Sequence, residues 1–167
     1  MANTYTLIAS GVGGSPSVTF SSIPSTYTDL VVLTSTRVGS ANAGMFMKFN
    51  GSSSNYSAKR LIADTATSSD SGGSTNIFIL ADGNWATANT FNSASIYIPD
   101  YTSANYKSIN IDCVAENNST SGGLYFLGLF AGLWSDTSAI TSIAFTPEGG
   151  GDFDSNSNFY LYGIKKS

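Results

Sequence analysis

The chain has no histidine, a single cysteine and four prolines, and it carries only seven basic and eleven acidic residues among 167. Without histidine there is no Ser-His-Asp or Cys-His arrangement, and the commonest general base and zinc ligand is gone. One cysteine excludes an internal disulfide and a cysteine-based zinc site. Cys113 stands in "SINIDCVAE", in alternation with Ile109 and Ile111, and reads as a small buried hydrophobe. Long apolar runs are missing too. The longest, "LYFLGLFAGLW" from Leu124 to Trp134, has eleven residues and two glycines, which suits a buried strand and falls short of a membrane span. The opening "MANTYTLIAS" lacks the basic and apolar regions of a secretory signal, so no membrane association is expected.

Charge is sparse and unclustered. A net charge of −4, with Lys59-Arg60 and Lys165-Lys166 as the only adjacent basic pairs, argues against a nucleic-acid partner, which draws on clustered Lys and Arg. The polarity lies instead in 28 Ser and 17 Thr. Such a surface makes weak, pH-insensitive hydrogen bonds and suits close packing against copies of itself or a large partner.

Hydrophobic content of 41% and aromatic content of 13% are enough for one core in a chain of this length, so residues 1–167 are expected to form a single domain. Short segments rich in Val, Ile, Phe, Tyr and Thr alternate with Gly, Ser, Asn and Asp clusters, the pattern of many short antiparallel strands. Eleven strands are expected: 4–9, 17–22, 28–37, 44–49, 57–63, 75–80, 94–98, 107–115, 124–134, 140–145 and 159–165. The stretches 11–17, 50–57, 64–74, 116–123 and 147–158 read as loops. Helix signals are weak, with one short turn of helix expected around 135–142, capped by Ser135 or Asp136. Leu30, Val31, Val32 and Leu33 are apolar at both parities, which marks a strand covered on both sides by a second sheet or a neighbouring subunit. The class is all-β, an antiparallel β-sandwich.

Candidate chemistry is thin. Most acids sit in turns such as Asp82-Gly83, Pro99-Asp100 and Asp152 with Asp154, where Asp serves backbone hydrogen bonding rather than a catalytic pair. "DFDSN" sets Asp152, Asp154 and Asn156 at calcium-loop spacing, but Ser157 and Gly163 stand where the glycine and the bidentate Glu belong, so no metal or other cofactor is expected. The aromatics are more informative. Tyr97, Tyr101 and Tyr106 punctuate "YIPDYTSANYK", and Trp85 lies in "ADGNWATANT". With Tyr5, Tyr160 and Tyr162 near the two ends, they are candidate contacts to a protein partner or to a sugar ring, since each offers an apolar plane and a polar handle.

Four stretches, "YTLIAS", "VTFSSIPSTYTDLVV", "ENNSTSGGLYFLGLFAGLWSDTSAITSIAFTP" and "NFYLYGIKKS", together resemble a family of small structural proteins of tailed bacteriophages. Tyr5 to Ser10, Ile23 to Leu30, Gly132 to Ser135 and Leu161 to Lys165 carry the match. The resemblance implies a jelly-roll-like sandwich and no enzymatic activity. It further implies a homotrimer on the virion surface, made in the host cytoplasm and bound to the major capsid protein as a head decoration (cement) protein. The alternative it leaves open is a tail-fibre or receptor-binding module that recognises host surface glycan.

Overall fold

The computed structural model describes residues 4–41, 44–63, 67–72, 75–115 and 126–165. Twelve strands are found among them: β1 (Tyr5–Val12), β2 (Val18–Phe20), β3 (Asp29–Thr36), β4 (Gly44–Phe49), β5 (Tyr56–Ala63), β6 (Thr67–Gly72), β7 (Ile77–Leu80), β8 (Asn92–Ile98), β9 (Lys107–Ala115), β10 (Phe126–Trp134), β11 (Ile143–Pro147) and β12 (Asn158–Ile164). All eleven expected strands are present, with boundaries moved by a few residues; Leu124 and Tyr125 lie outside the described residues. Two expectations are corrected. Residues 67–72, expected as loop, pair with β5 from Ala58↔Gly72 to Ala63↔Thr67, because an available edge can recruit a Ser-rich segment of low strand propensity. Residues 135–142 form no helix: the Asp136 carboxylate accepts Ser138 N at 2.8 Å, which closes a local turn and competes with helix.

The strands form two antiparallel sheets, of order β1-β12-β3-β8-β9-β10-β5-β6 and β2-β11-β4-β7. They make a single all-β sandwich. The first four strands of the large sheet, set against the small sheet, follow the strand order of an eight-stranded jelly roll. Hairpin β5-β6 departs between β4 and β7, β9-β10 follows β8, and the two excursions pair with each other as β10 with β5.

Alternation explains the core. In β9, Ile109, Ile111 and Cys113 point inward and are buried, whereas Ser108, Asn110, Asp112 and Val114 are exposed. Burial pushes the Cys113 thiol up to about 12, so it stays protonated and unreactive at neutral pH. Aromatics fill the space between the sheets. Phe159 sits between Phe145 and Phe153 at 5.3 and 5.0 Å, and Phe49 lies 5.5 Å from Trp134. The Tyr56 hydroxyl accepts Phe49 N at 2.7 Å, which satisfies its polar end within the core.

The motif residues meet one another. β1 pairs with β12 and β12 with β3, so "YTLIAS", "LYGIK" and the end of "SIPSTYTDL" lie side by side. Tyr27 rests flat on Gly163, where any Cβ would fall 2.3 Å from its ring, and Lys165 Nζ sits 5.7 Å over the same ring.

Candidate functional site

β3, β8, β9 and β10 each turn one row of side chains to the core and the other away from the small sheet. On a surface sheet the outer row is normally polar. Here it is not. Of the eleven large hydrophobic residues that stand exposed among the described residues, ten lie on the outer face of the large sheet, and Tyr106, in the loop before β9, is the exception.

Strand pairing places these residues in rows. One row runs Leu7, Tyr162, Val31, Tyr97 across β1, β12, β3 and β8, and the next runs Ser10, Tyr160, Leu33, Ser95. They form a tyrosine-rich patch, with Tyr5 edge-on to Tyr162 at 6.1 Å. Across β9, β10 and β5 the rows continue as Val114, Leu127, Ala63 and as Asp112, Leu129, Leu61, an aliphatic patch. Between the patches lies a polar strip of Ser93, Ser95, Asn110 and Asp112. An open groove of about 190 Å³ runs from this strip into the aliphatic patch, lined in part by Ser93, Asp112, Val114, Leu127 and Leu129.

β10 shows why leucines face out. Its inward positions include Gly128 and Gly132, where a Cβ would stand 2.9 Å from Cys113 Sγ and Leu80 Cδ1, and 2.9 Å from Ile77 Cδ1. Core packing leaves no room for side chains there, and Leu127 and Leu129 take the outer parity, 55% and 49% exposed.

The expected contact residues divide. Tyr5, Tyr97, Tyr160 and Tyr162 come together in the tyrosine patch, on strands rather than loops. Tyr97 donates to Asp29 Oδ2 at 2.9 Å, and Asp29 Oδ1 accepts Asp100 N at 3.0 Å. Partial burial and this carboxylate push the Tyr97 phenol up to about 12. Tyr106 is exposed and Trp85 half-buried, and they lie in the loops beyond opposite ends of β8. Tyr101 corrects the expectation of a surface contact: it is fully buried, with its hydroxyl donating to Pro24 O beneath the segment that leads into β3. A tyrosine with an apolar ring and one reachable carbonyl is as well placed in a core as on a surface.

Leu7, Leu33, Leu61, Val114, Leu127 and Leu129 are the contact candidates that reading for aromatics passed over. For Leu33, Leu127 and Leu129 the signal was apolarity at both parities, visible in "DLVVLTST" and "FLGLFAGLW". Leu33 is 39% exposed, so the outer side of β3 is open there, although Val31 and Asp29 on the same side are buried.

Among the described residues the acids form no reactive cluster. Asp154 accepts both Asn156 N and Asn156 Nδ2, as an Asx turn, and no group of three or more acids or cysteines suited to a metal ion occurs among the described residues. Asp82 departs from the expected turn role: its carboxylate is fully buried, with no hydrogen-bond partner on either oxygen. No helix is long and apolar enough to cross a membrane among the described residues. No family model matches this chain, and no curated protein does either.

Proposed function

We propose that this protein is a non-enzymatic structural component of a tailed-phage virion, a head decoration protein that binds the assembled capsid as a homotrimer. The observation that carries this reading is the outer face of the large sheet, which gathers ten of the eleven large hydrophobics exposed among the described residues. Apolar patches beyond a few hundred Å² on a soluble domain mark surfaces that meet other proteins. The hydroxyl-rich, weakly charged remainder of the surface fits close packing without a charge pattern, and the motif residues that interlock β1, β12 and β3 are those that carry the resemblance to phage structural proteins. Mechanically, a ligand that binds only the assembled shell stabilises that state by mass action.

The test is location and binding. Antibody labelling of virions is expected to decorate heads, and purified protein is expected to bind expanded heads saturably and raise their disruption temperature. Labelling confined to tails would refute the head reading. Host-polysaccharide binding lost in Trp85→Ala or Tyr97→Ala would instead support the receptor-binding module.

A further inference from the structure

The two apolar patches cannot meet one flat partner. Four strand-to-strand steps separate β12, at the middle of the tyrosine patch, from β10, at the middle of the aliphatic one. At about 20–25° of twist per step the two patches face directions roughly 80–100° apart. A single globular neighbour covers one or the other.

We propose that the tyrosine patch of one copy docks on the aliphatic patch of the next, a head-to-tail contact between copies of this chain. It rests on the reading above that copies assemble with one another, and it adds which surfaces meet. Three observations favour a second copy over a foreign partner. First, area: at about 150–200 Å² for each residue when fully exposed, the ten outward hydrophobics together offer roughly 700–1,000 Å². One patch on the other would therefore bury about the apolar share, a little over half, of a standard interface of about 1,600 Å². Second, charge: among the described residues of these rows the exposed ions are Lys59 and Asp112, one of each sign, beside the aliphatic patch, while the carboxylate within the tyrosine patch, Asp29, is buried and bonded to Tyr97. The tyrosine patch therefore presents no exposed ion of like sign to either, and the hydroxyls of Tyr5, Tyr160 and Tyr162 are suited to bond both. Third, shape: the open groove beside Leu127 and Leu129 has room for one protruding side chain, and the tyrosine patch has such residues in Leu7 and Tyr5, 53% and 56% exposed. A contact between two different patches is head-to-tail rather than a face-to-face pair, and it forms a ring where its rotation closes.

Complementation tests it. Leu7→Asp spoils the tyrosine patch and Leu129→Asp the aliphatic patch; both positions are about half exposed, so each variant should keep the wild-type circular-dichroism spectrum and cooperative unfolding. By sedimentation velocity at tens of micromolar, wild type is expected at a multiple of 17.4 kDa and each variant alone at 17.4 kDa. An equimolar mixture is expected to recover a heterodimer of twice that mass, because each variant retains the patch the other lacks. If Leu129→Asp fails to fold, Leu61→Asp, 45% exposed, takes its place. A monomeric wild type, a variant that assembles like wild type, or a mixture that stays monomeric would each overturn the proposal. A wild-type monomer that still binds heads would leave the decoration function standing, whereas successful complementation by a protein found on no virion would do the reverse.

Discussion

Replacing Asp82 by Asn tests how this core handles charge. Asp82 lies just beyond β7 and bridges to Arg37, with Val38 N donating to its backbone carbonyl at 2.7 Å. Its carboxylate is fully buried and unbonded. Arg37 is near enough to attract it, but three of the guanidinium donors go to the carbonyls of Ala86, Thr87 and Thr90 at 3.0–3.1 Å. The Thr90 hydroxyl gives its proton to Thr87 O at 2.8 Å. Burial therefore dominates and raises the Asp82 pKa, with Thr90 and Arg37 pulling less strongly the other way. The folded value thus lies above the unfolded one, about 3.9. A folded value above the unfolded one weakens the fold at pH 7, and the penalty disappears as pH falls through the folded value towards the unfolded one. An unbonded buried charge costs several kcal/mol, part of which attraction to Arg37 returns, so Asp82→Asn is expected to gain about 1 kcal/mol at pH 7. The gain should shrink to nothing near pH 4. Urea unfolding followed by tryptophan fluorescence at both pH values measures it. A loss above about 1 kcal/mol at pH 7, or a difference independent of pH, would refute the reasoning.

Phe159→Ala removes the ring between Phe145 and Phe153 and is expected to cost about 3–5 kcal/mol, read from the urea midpoint; a cost under about 1 kcal/mol would mean that the cluster is not central. Gly128→Ala places a methyl 2.4 Å from Phe130 Cε2 in front of Cys113 and should cost about 1–3 kcal/mol in the same assay. Tyr97→Phe leaves Asp29 with only the Asp100 amide among its resolved bonds and should cost about 1 kcal/mol at pH 7. Because the Tyr97 phenol is raised to about 12, its contribution holds below pH 10 and fades as pH climbs towards 12, so the variant's stability should fall less steeply over that interval than wild type's.

The fold was readable wherever strand chemistry and the period of two agreed. β9 is the clearest case, alternating Ile109, Ile111 and Cys113 against Ser108, Asn110 and Asp112. β6 was not readable, because "TSSDSG" has little strand propensity of its own and forms by completing the edge of β5. The interaction face was half legible. Tyrosines drew attention by type, but whether one ends on a surface, like Tyr97, or beneath a loop, like Tyr101, depends on which segments close over it. The leucines of β10 were hidden for a different reason. A strand apolar at both parities reads as sandwiched, and only the close approach of Leu80 and Ile77 to Gly128 and Gly132 reveals which parity the core has taken. Asp82 looked like an ordinary turn residue because Asp-Gly is a turn signal whatever lies above it.

The splice of β5-β6 and β9-β10 into the large sheet has a consequence for how this architecture varies. The eight strands of the jelly roll already pair among themselves, and the extra strands leave and rejoin the chain at neighbouring places along it. What joins the two excursions is the ladder from Tyr56↔Trp134 to Ala63↔Leu127, a pairing between segments some seventy positions apart that closes late if local contacts form first. Lengthening or trimming both hairpins in step would therefore widen or narrow the aliphatic patch while the eight jelly-roll strands kept their register. The breadth of the docking surface is in this sense adjustable by loop length, independently of the fold that carries it.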